Sequence, residues 1–184
     1  MIKGLHHNAY RCRDSEETRA FYEDFLELPL ADVFPIKETK TGRTTHALHS
    51  FFRLGDGSFL AFFEVPDTPF DFKEQHDYDL HIALEVDEET LDRMLAKGKD
   101  AGIETRGVAD HKFIRSIYFR DPNGYVIELT TPVEGFTPKT EKEAHEALTR
   151  WQDSKTWYLR VFRYPRGLLL IKGFRPFSGD TFLH

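Results

Sequence analysis

The sequence has a single cysteine, Cys12, so no disulfide can form within the chain, and a reducing cytoplasm is the expected setting. It has no apolar run near the ~20 residues that a membrane helix needs, so a membrane is not an expected partner. The opening MIKGLHHNAY lacks the apolar stretch and small-residue cleavage site of a secretory leader. Positive charge is also short: a formal charge of −6 excludes a general nucleic-acid binder. What is present is ordinary for a soluble globular protein, with 184 residues, 40% apolar and 30% charged, enough for one domain over 1–184 to bury a core. The one excess is nine histidines, which raises the question of a metal.

Two stretches read alike. GLHHNAYRCRDSEETRAFYEDFL and DLHIALEVDEETLDRMLAKGKDAG each open on a short alternating strand carrying a histidine, then an acidic helix start, then a helix. Asp14 caps the first helix, with Glu17 placed for a capping box, and Phe21, Phe25 and Leu28 recur at helical spacing. Asp87 caps the second, Leu91, Met94 and Leu95 form its apolar face, and Gly102 sits at the C-terminal cap. Strands follow at about 45–53 and 58–65 around Gly55-Asp56-Gly57. In the second stretch they follow at about 103–108, 113–120 and 124–131, the last two joined by Asp121-Pro122-Asn123-Gly124. The reading is an α+β fold of two βαβββ modules, residues 2–66 and 79–132, curving as a mixed sheet around a shared cleft. A polar linker, TPFDFKEQHDYD, separates them.

From residue 133 the pattern changes. Residues 139–155 predict a helix with Ala144, Leu148 and Trp151 on one face. The tail 156–184 is basic and aromatic, carrying Arg160, Arg163, Arg166, Lys172 and Arg175. It reads first as an arm packed on its own domain or on a partner subunit, with a lid over the site as the alternative.

His7 and His81 occupy matching places in the two modules, so a pseudo-two-fold axis would bring them together. Glu128 interrupts the apolar run YVIELT, where a buried charge is costly unless it is paired or bound to a metal. Singly, each has a plainer role: a core histidine (with His6 the alternative inward one), a strand histidine, an arginine-paired carboxylate. At repeat-related places, two histidines and a carboxylate with open positions suit non-haem Fe(II), and also Mn or Zn.

These residues resemble the vicinal-oxygen-chelate superfamily, which includes glyoxalase I, fosfomycin-resistance thiol transferases and type I extradiol dioxygenases. The resemblance covers about residues 2–132. It rests on His7 followed by RCRD, on HIALEV at His81, and on YFRDPNGYVIEL ending in Glu128. It implies the paired-module fold, metal ligation by His7, His81 and Glu128, and, by analogy, a homodimer.

The nearest branch by resemblance is the extradiol dioxygenases, which use Fe(II) and O2 to open an aromatic diol; Mn, Ni or Zn are the other metals in view. Tyr118, ten residues before Glu128, matches a substrate-binding tyrosine shared by dioxygenases and fosfomycin transferases. His49, in a Leu-His pair, matches the dioxygenase acid/base histidine, with a surface histidine as its plainer role. His111 resembles a further active-site histidine, two residues nearer the tyrosine than in that family. A glyoxalase-like lyase or isomerase would use Ni or Zn and take Glu64 as a fourth ligand. Counting from the turn glycines, however, Glu128 corresponds to Ala61, which puts Glu64 on the opposite strand face unless a bulge intervenes. The thiol transferases are the other enzymatic alternative. A non-catalytic binder of the bleomycin-sequestering kind is disfavoured by the complete ligand set.

Overall fold

The computed structural model describes the backbone of residues 1–163 and the side-chain surroundings of residues 1–155. Contacts gather into two compact units, Met1–Phe136 and Thr137–His184. The first unit holds both modules. Module one runs β1 (His7–Cys12), α1 (Ser15–Arg19) continued by a wide π-type turn over Ala20–Phe25, β2 (Leu30–Glu38), β3 (Thr44–Arg53) and β4 (Phe59–Glu64). Module two runs β5 (His81–Glu85), α2 (Glu88–Asp100), β6 (Thr105–Asp110), β7 (Ile114–Arg120) and β8 (Val126–Pro132). Each makes a four-stranded sheet of the same order, β1-β4-β3-β2 and β5-β8-β7-β6. In each, the first strand lies parallel to the last and the remaining pairs are antiparallel. This is the paired βαβββ architecture that the repeat predicts.

The helix starts follow the capping residues. Asp14 accepts from the backbone N–H groups of Glu16 and Glu17, and Asp87 from that of Thr90. Gly102 takes a positive φ of 68° just past α2, as a C-terminal cap requires. The sequence pattern misses β2. This edge strand is exposed at most positions and contains Pro35, which offers no N–H to a ladder, so neither alternation nor propensity marks it.

Phe21, Tyr22 and Phe25 from the first helical segment, Phe52, Leu60 and Phe62 from the first sheet, Leu91 and Met94 from α2, and Ile117, Phe119 and Ile127 from the second sheet form one core. The modules are also joined by polar groups at the β7–β8 turn. The buried carboxylate of Asp121 accepts from the Tyr22 hydroxyl and from the backbone N–H groups of Asn123 and Tyr125. Asn123 in turn accepts from the Arg13 N–H and donates to Thr18. The turn closes on Gly124, φ 95°, where a Cβ would lie 2.4 Å from the Lys73 carbonyl oxygen, so the linker can cross only because that side chain is missing.

In the second unit, α3 spans Glu141–Arg163, longer than the predicted 139–155. Thr140 and Glu143 cap it reciprocally. Leu148 and Trp151 are exposed. The predicted basic tail lies outside the described residues from 164 onward.

Across the module boundary, Glu27 pairs with Arg93 and Lys97 of α2 at 2.7 and 2.9 Å. Arg93 first, then Lys97, hydrogen-bond its charged form and bring its pKa down to about 2 from an ordinary 4.5. Stability from this pair is therefore full above the ordinary carboxylate value and is lost as pH falls through the folded value. Glu27→Gln should lower the melting temperature by a few degrees at most at pH 7. That difference should shrink toward zero near pH 2 in thermal melts across the range; a gap independent of pH would show that the ion pair is not its source.

Candidate metal centre

β5 and β8 run side by side with Ala83 opposite Glu128, and β7 places Tyr118 on the other side of Glu128. Alternation then puts His81, Glu128, Tyr118 and Ser116 on one face of the second sheet. Glu128 is 4% exposed, so its charge needs partners. Ser116 donates to its Oε1 at 2.5 Å and Tyr118 to the same atom at 3.2 Å. Its Oε2 lies 3.2 Å from His81 Nε2.

The His81–Glu128 contact is what points to a cation. His81 Nδ1 sits 2.7 Å from the main-chain carbonyl oxygen of Asp77. A carbonyl only accepts, so Nδ1 carries the proton, and in the neutral ring the Nε2 lone pair faces a carboxylate oxygen. Two acceptors then meet head-on, relieved by a second proton on the imidazole or by a cation between them. Neutral imidazole plus carboxylate is a donor set for Mn, Fe, Ni or Zn, with its histidine held from behind by a carbonyl, as in many metal sites.

Tyr118 is pushed up to about 12, first by burial and then by the charge of Glu128, so it stays a phenol and a donor. His111 Nε2 lies 2.8 Å from the Tyr118 oxygen, which joins these two residues in spite of the shortened spacing. With the phenol proton given to Glu128, His111 supplies the hydrogen of that contact. Three partners are missed by the sequence reading. Ser116 aligns Glu128. Asp77 seats His81 with its carbonyl and also holds Arg106 by two hydrogen bonds of 2.9 and 3.1 Å; that guanidinium lies 5.2 Å from the centre of the Tyr118 ring. The available signal for Ser116 was its position two before Tyr118 on the same face; for Asp77, four residues before His81 with Asp79 nearer, the sequence offered none.

His7 lies on the first sheet, and its neighbours are His6, His49 and Phe51 rather than His81. Among the described residues, no three His, Cys, Asp or Glu side chains gather closely enough to hold an ion. The expected meeting of His7 and His81 in one cleft thus does not occur within a single chain. The repeat makes the two histidines equivalent, each on its own sheet, without making them adjacent. His49 stacks on Phe63 with ring centres 3.6 Å apart, and its Nδ1 lies 3.0 Å from the Phe62 carbonyl oxygen. Burial, with His7 as a lesser cause, lowers its pKa, so it is neutral at pH 7 with Nε2 free to accept a proton. Phe34, Phe51 and Phe59 complete this aromatic face, whereas Phe62 points into the core.

The register of the strands bears out the count from the turn glycines. His7 pairs with Phe59 and His81 with Val126, so Ala61 corresponds to Glu128. Glu64 lies opposite core residue Cys12 and accepts from the Ser15 N–H at the start of α1. It is on the face away from His7.

Ser116→Ala removes the donor nearest Glu128 Oε1 and should weaken divalent-ion binding by roughly tenfold or more, as loss of a ligand-orienting partner does. Titration with Mn(II) followed by electron paramagnetic resonance checks this; unchanged affinity would deny Ser116 that role.

The comparisons agree with the paired-module fold. The model of the "Glyoxalase/Bleomycin resistance protein/Dioxygenase superfamily" matches residues 4–129. The chain is 30% identical over 142 residues to the metallothiol transferase FosB of Shouchella clausii, covering 71% of this chain and 82% of that protein. It is 32% identical over 132 residues to FosB of Bacillus licheniformis, covering 71% and 76%. A variant of the fosfomycin resistance protein FosX from Listeria monocytogenes, solved with Mn(II) and 1S,2S-dihydroxypropylphosphonic acid, matches with a TM-score of 0.53 and 25% identity, over 70% of this chain and 92% of that one. The chain belongs to the glyoxalase/bleomycin resistance protein/dioxygenase superfamily.

Proposed function

We propose that the chain is a metal-dependent enzyme that binds a small molecule through two neighbouring oxygens and transfers a thiol onto it, thiol transfer being what the metallothiol transferases it resembles are named for. The observation that carries this is the head-on pair of acceptors, His81 Nε2 and Glu128 Oε2. His7 is the third ligand, supplied by a second copy of the chain, since it stands beside His49 on an exposed face of the other sheet. The homodimer is thus part of the site. A divalent ion there supplies Lewis acidity toward a substrate oxygen. Mn(II), present in the FosX structure, suits the histidine–carboxylate set.

The protein's own groups do the rest. For thiol addition to an epoxide, a C–S bond forms and a C–O bond breaks. The thiol proton passes to His49 Nε2, and the imidazolium so formed returns it, through solvent, to the freed alkoxide. Tyr118, held as a phenol, steadies that oxygen when its O–H turns from Glu128 toward it, and His111 holds Tyr118.

A second reading is Fe(II)-dependent ring opening of an aromatic diol with O2. It is favoured by the neutral His49 beside the aromatic rings of Phe51 and Phe63. Nothing favours the glyoxalase-like lyase, because Glu64 faces away from His7.

Mixing the inactive variants His7→Ala and Glu128→Gln should restore tight Mn(II) binding to about a quarter of the wild-type stoichiometry, since only mixed dimers hold one intact site. No recovery after subunit exchange would overturn the shared site. Thiol consumption with epoxides under Mn(II), set against oxygen uptake with catechols under Fe(II), then separates the two reactions.

A further inference from the structure

Among the described residues, the arginine that lies against Tyr118 is already paired. Arg106 lies over the Tyr118 ring, and both of its terminal nitrogens are hydrogen-bonded to the two oxygens of Asp77. Glu104 approaches the same guanidinium at 3.8 Å. The main chain of Asp77 is engaged as well, its carbonyl oxygen receiving the His81 Nδ1–H at 2.7 Å. One residue therefore seats a metal-facing histidine with its main chain and neutralises the neighbouring arginine with its side chain. Arg120, on the same face, is likewise taken by Glu104 and by the carbonyls of Gln75 and Gly124.

The aromatic face that carries His7 and His49 adds Phe34, Phe51, Phe59 and Phe63. A phosphonate dianion beside Tyr118 would need cationic donors. To obtain Arg106 it must strip that residue from Asp77, leaving a carboxylate unpaired against the incoming charge.

We infer that Asp77 and Arg106 set the charge selectivity of the site, fitting it to a neutral or singly charged oxygen chelator and closing it to phosphonate dianions. This rests on the proposed metal site and narrows its substrate class. It also separates the chain from the FosX structure whose bound ligand is a phosphonic acid.

The test uses the full chain loaded with Mn(II), with acetohydroxamic acid as the neutral two-oxygen probe and hydroxymethylphosphonic acid as the dianionic one. Binding of each is read by calorimetry and by water-proton relaxation. Wild type should prefer the hydroxamic acid by about tenfold or more, the scale of a lost hydrogen bond to a charge. Asp77→Asn keeps the carbonyl that seats His81 but releases Arg106. Read at saturating Mn(II), it should tighten the phosphonate by about tenfold. Adding Arg106→Ala to Asp77→Asn should erase that gain.

A wild type that prefers the phosphonate, or an Asp77→Asn protein with the same preference as wild type, overturns the inference. Phosphonate binding to wild type that is lost in Lys112→Ala also overturns it, with exposed Lys112 as the anion contact. Failure of wild type to bind Mn(II) is seen before either probe is added, and overturns the metal site together with the inference built on it.

Discussion

The buried carboxylate of Asp121 is the constraint on which the rest of the structure hangs. It is 4% exposed, and burial raises its pKa. It is tolerable in the core only because Tyr22, Asn123 and Tyr125 all donate to it. Those donors fix the Asp121–Gly124 turn, and the turn fixes the register of β7 on β8. A slip by one residue would move Tyr118 and Ser116 to the core face and strand Glu128 without donors. Because Tyr22 comes from the first module, the same carboxylate ties the packing of the modules to the geometry of the site.

The two sheets share a topology and divide the chemistry. Cross-strand pairing equates His7 with His81, Ala61 with Glu128, Phe51 with Tyr118 and His49 with Ser116. One sheet thus carries a carboxylate with a serine and a phenol aimed at it. The other carries an alanine with a phenylalanine and a histidine at the same places. A buried carboxylate on the first sheet would have no donors, since neither Phe51 nor a histidine with Nδ1 committed to a carbonyl supplies one. The asymmetry is therefore chemically consistent: a donor-supported carboxylate on one sheet, a histidine and an aromatic surface on the other.

Much of this is legible in the sequence because it is local. Asp14 and Asp87 announce helix starts, and the histidine–strand–cap order announces the repeat. The offset from Gly124 and Gly57 already separates Glu128 from Glu64, because strand alternation needs only a correct turn. What is not legible depends on pairing across strands or on the linker. Ser116 is one serine among many until β7 is laid against β8. Asp77 and Arg106 are far apart in the chain and meet only because the linker crosses Gly124. The edge strand β2 fails for another reason, since an exposed strand with a proline carries no periodic signal. The repeat also shows a limit of symmetry as evidence: it equates His7 and His81 correctly, yet says nothing about whether one chain brings them together.

Proton placement is the common thread between the sheets. His49 and His81 each give Nδ1–H to a main-chain carbonyl, of Phe62 and Asp77 respectively, and so each presents an unprotonated Nε2. A carbonyl cannot change its role as pH changes, so it holds the tautomer as firmly as it holds the ring orientation. The consequences differ with what Nε2 meets. On the second sheet it meets a carboxylate, an arrangement suited to holding a cation between the two. On the first, no acceptor among the described residues is hydrogen-bonded to it, and burial lowers the His49 pKa. The same local device turns one histidine toward a carboxylate and leaves the other among aromatic rings, and the difference comes from the residue opposite rather than from the histidine itself.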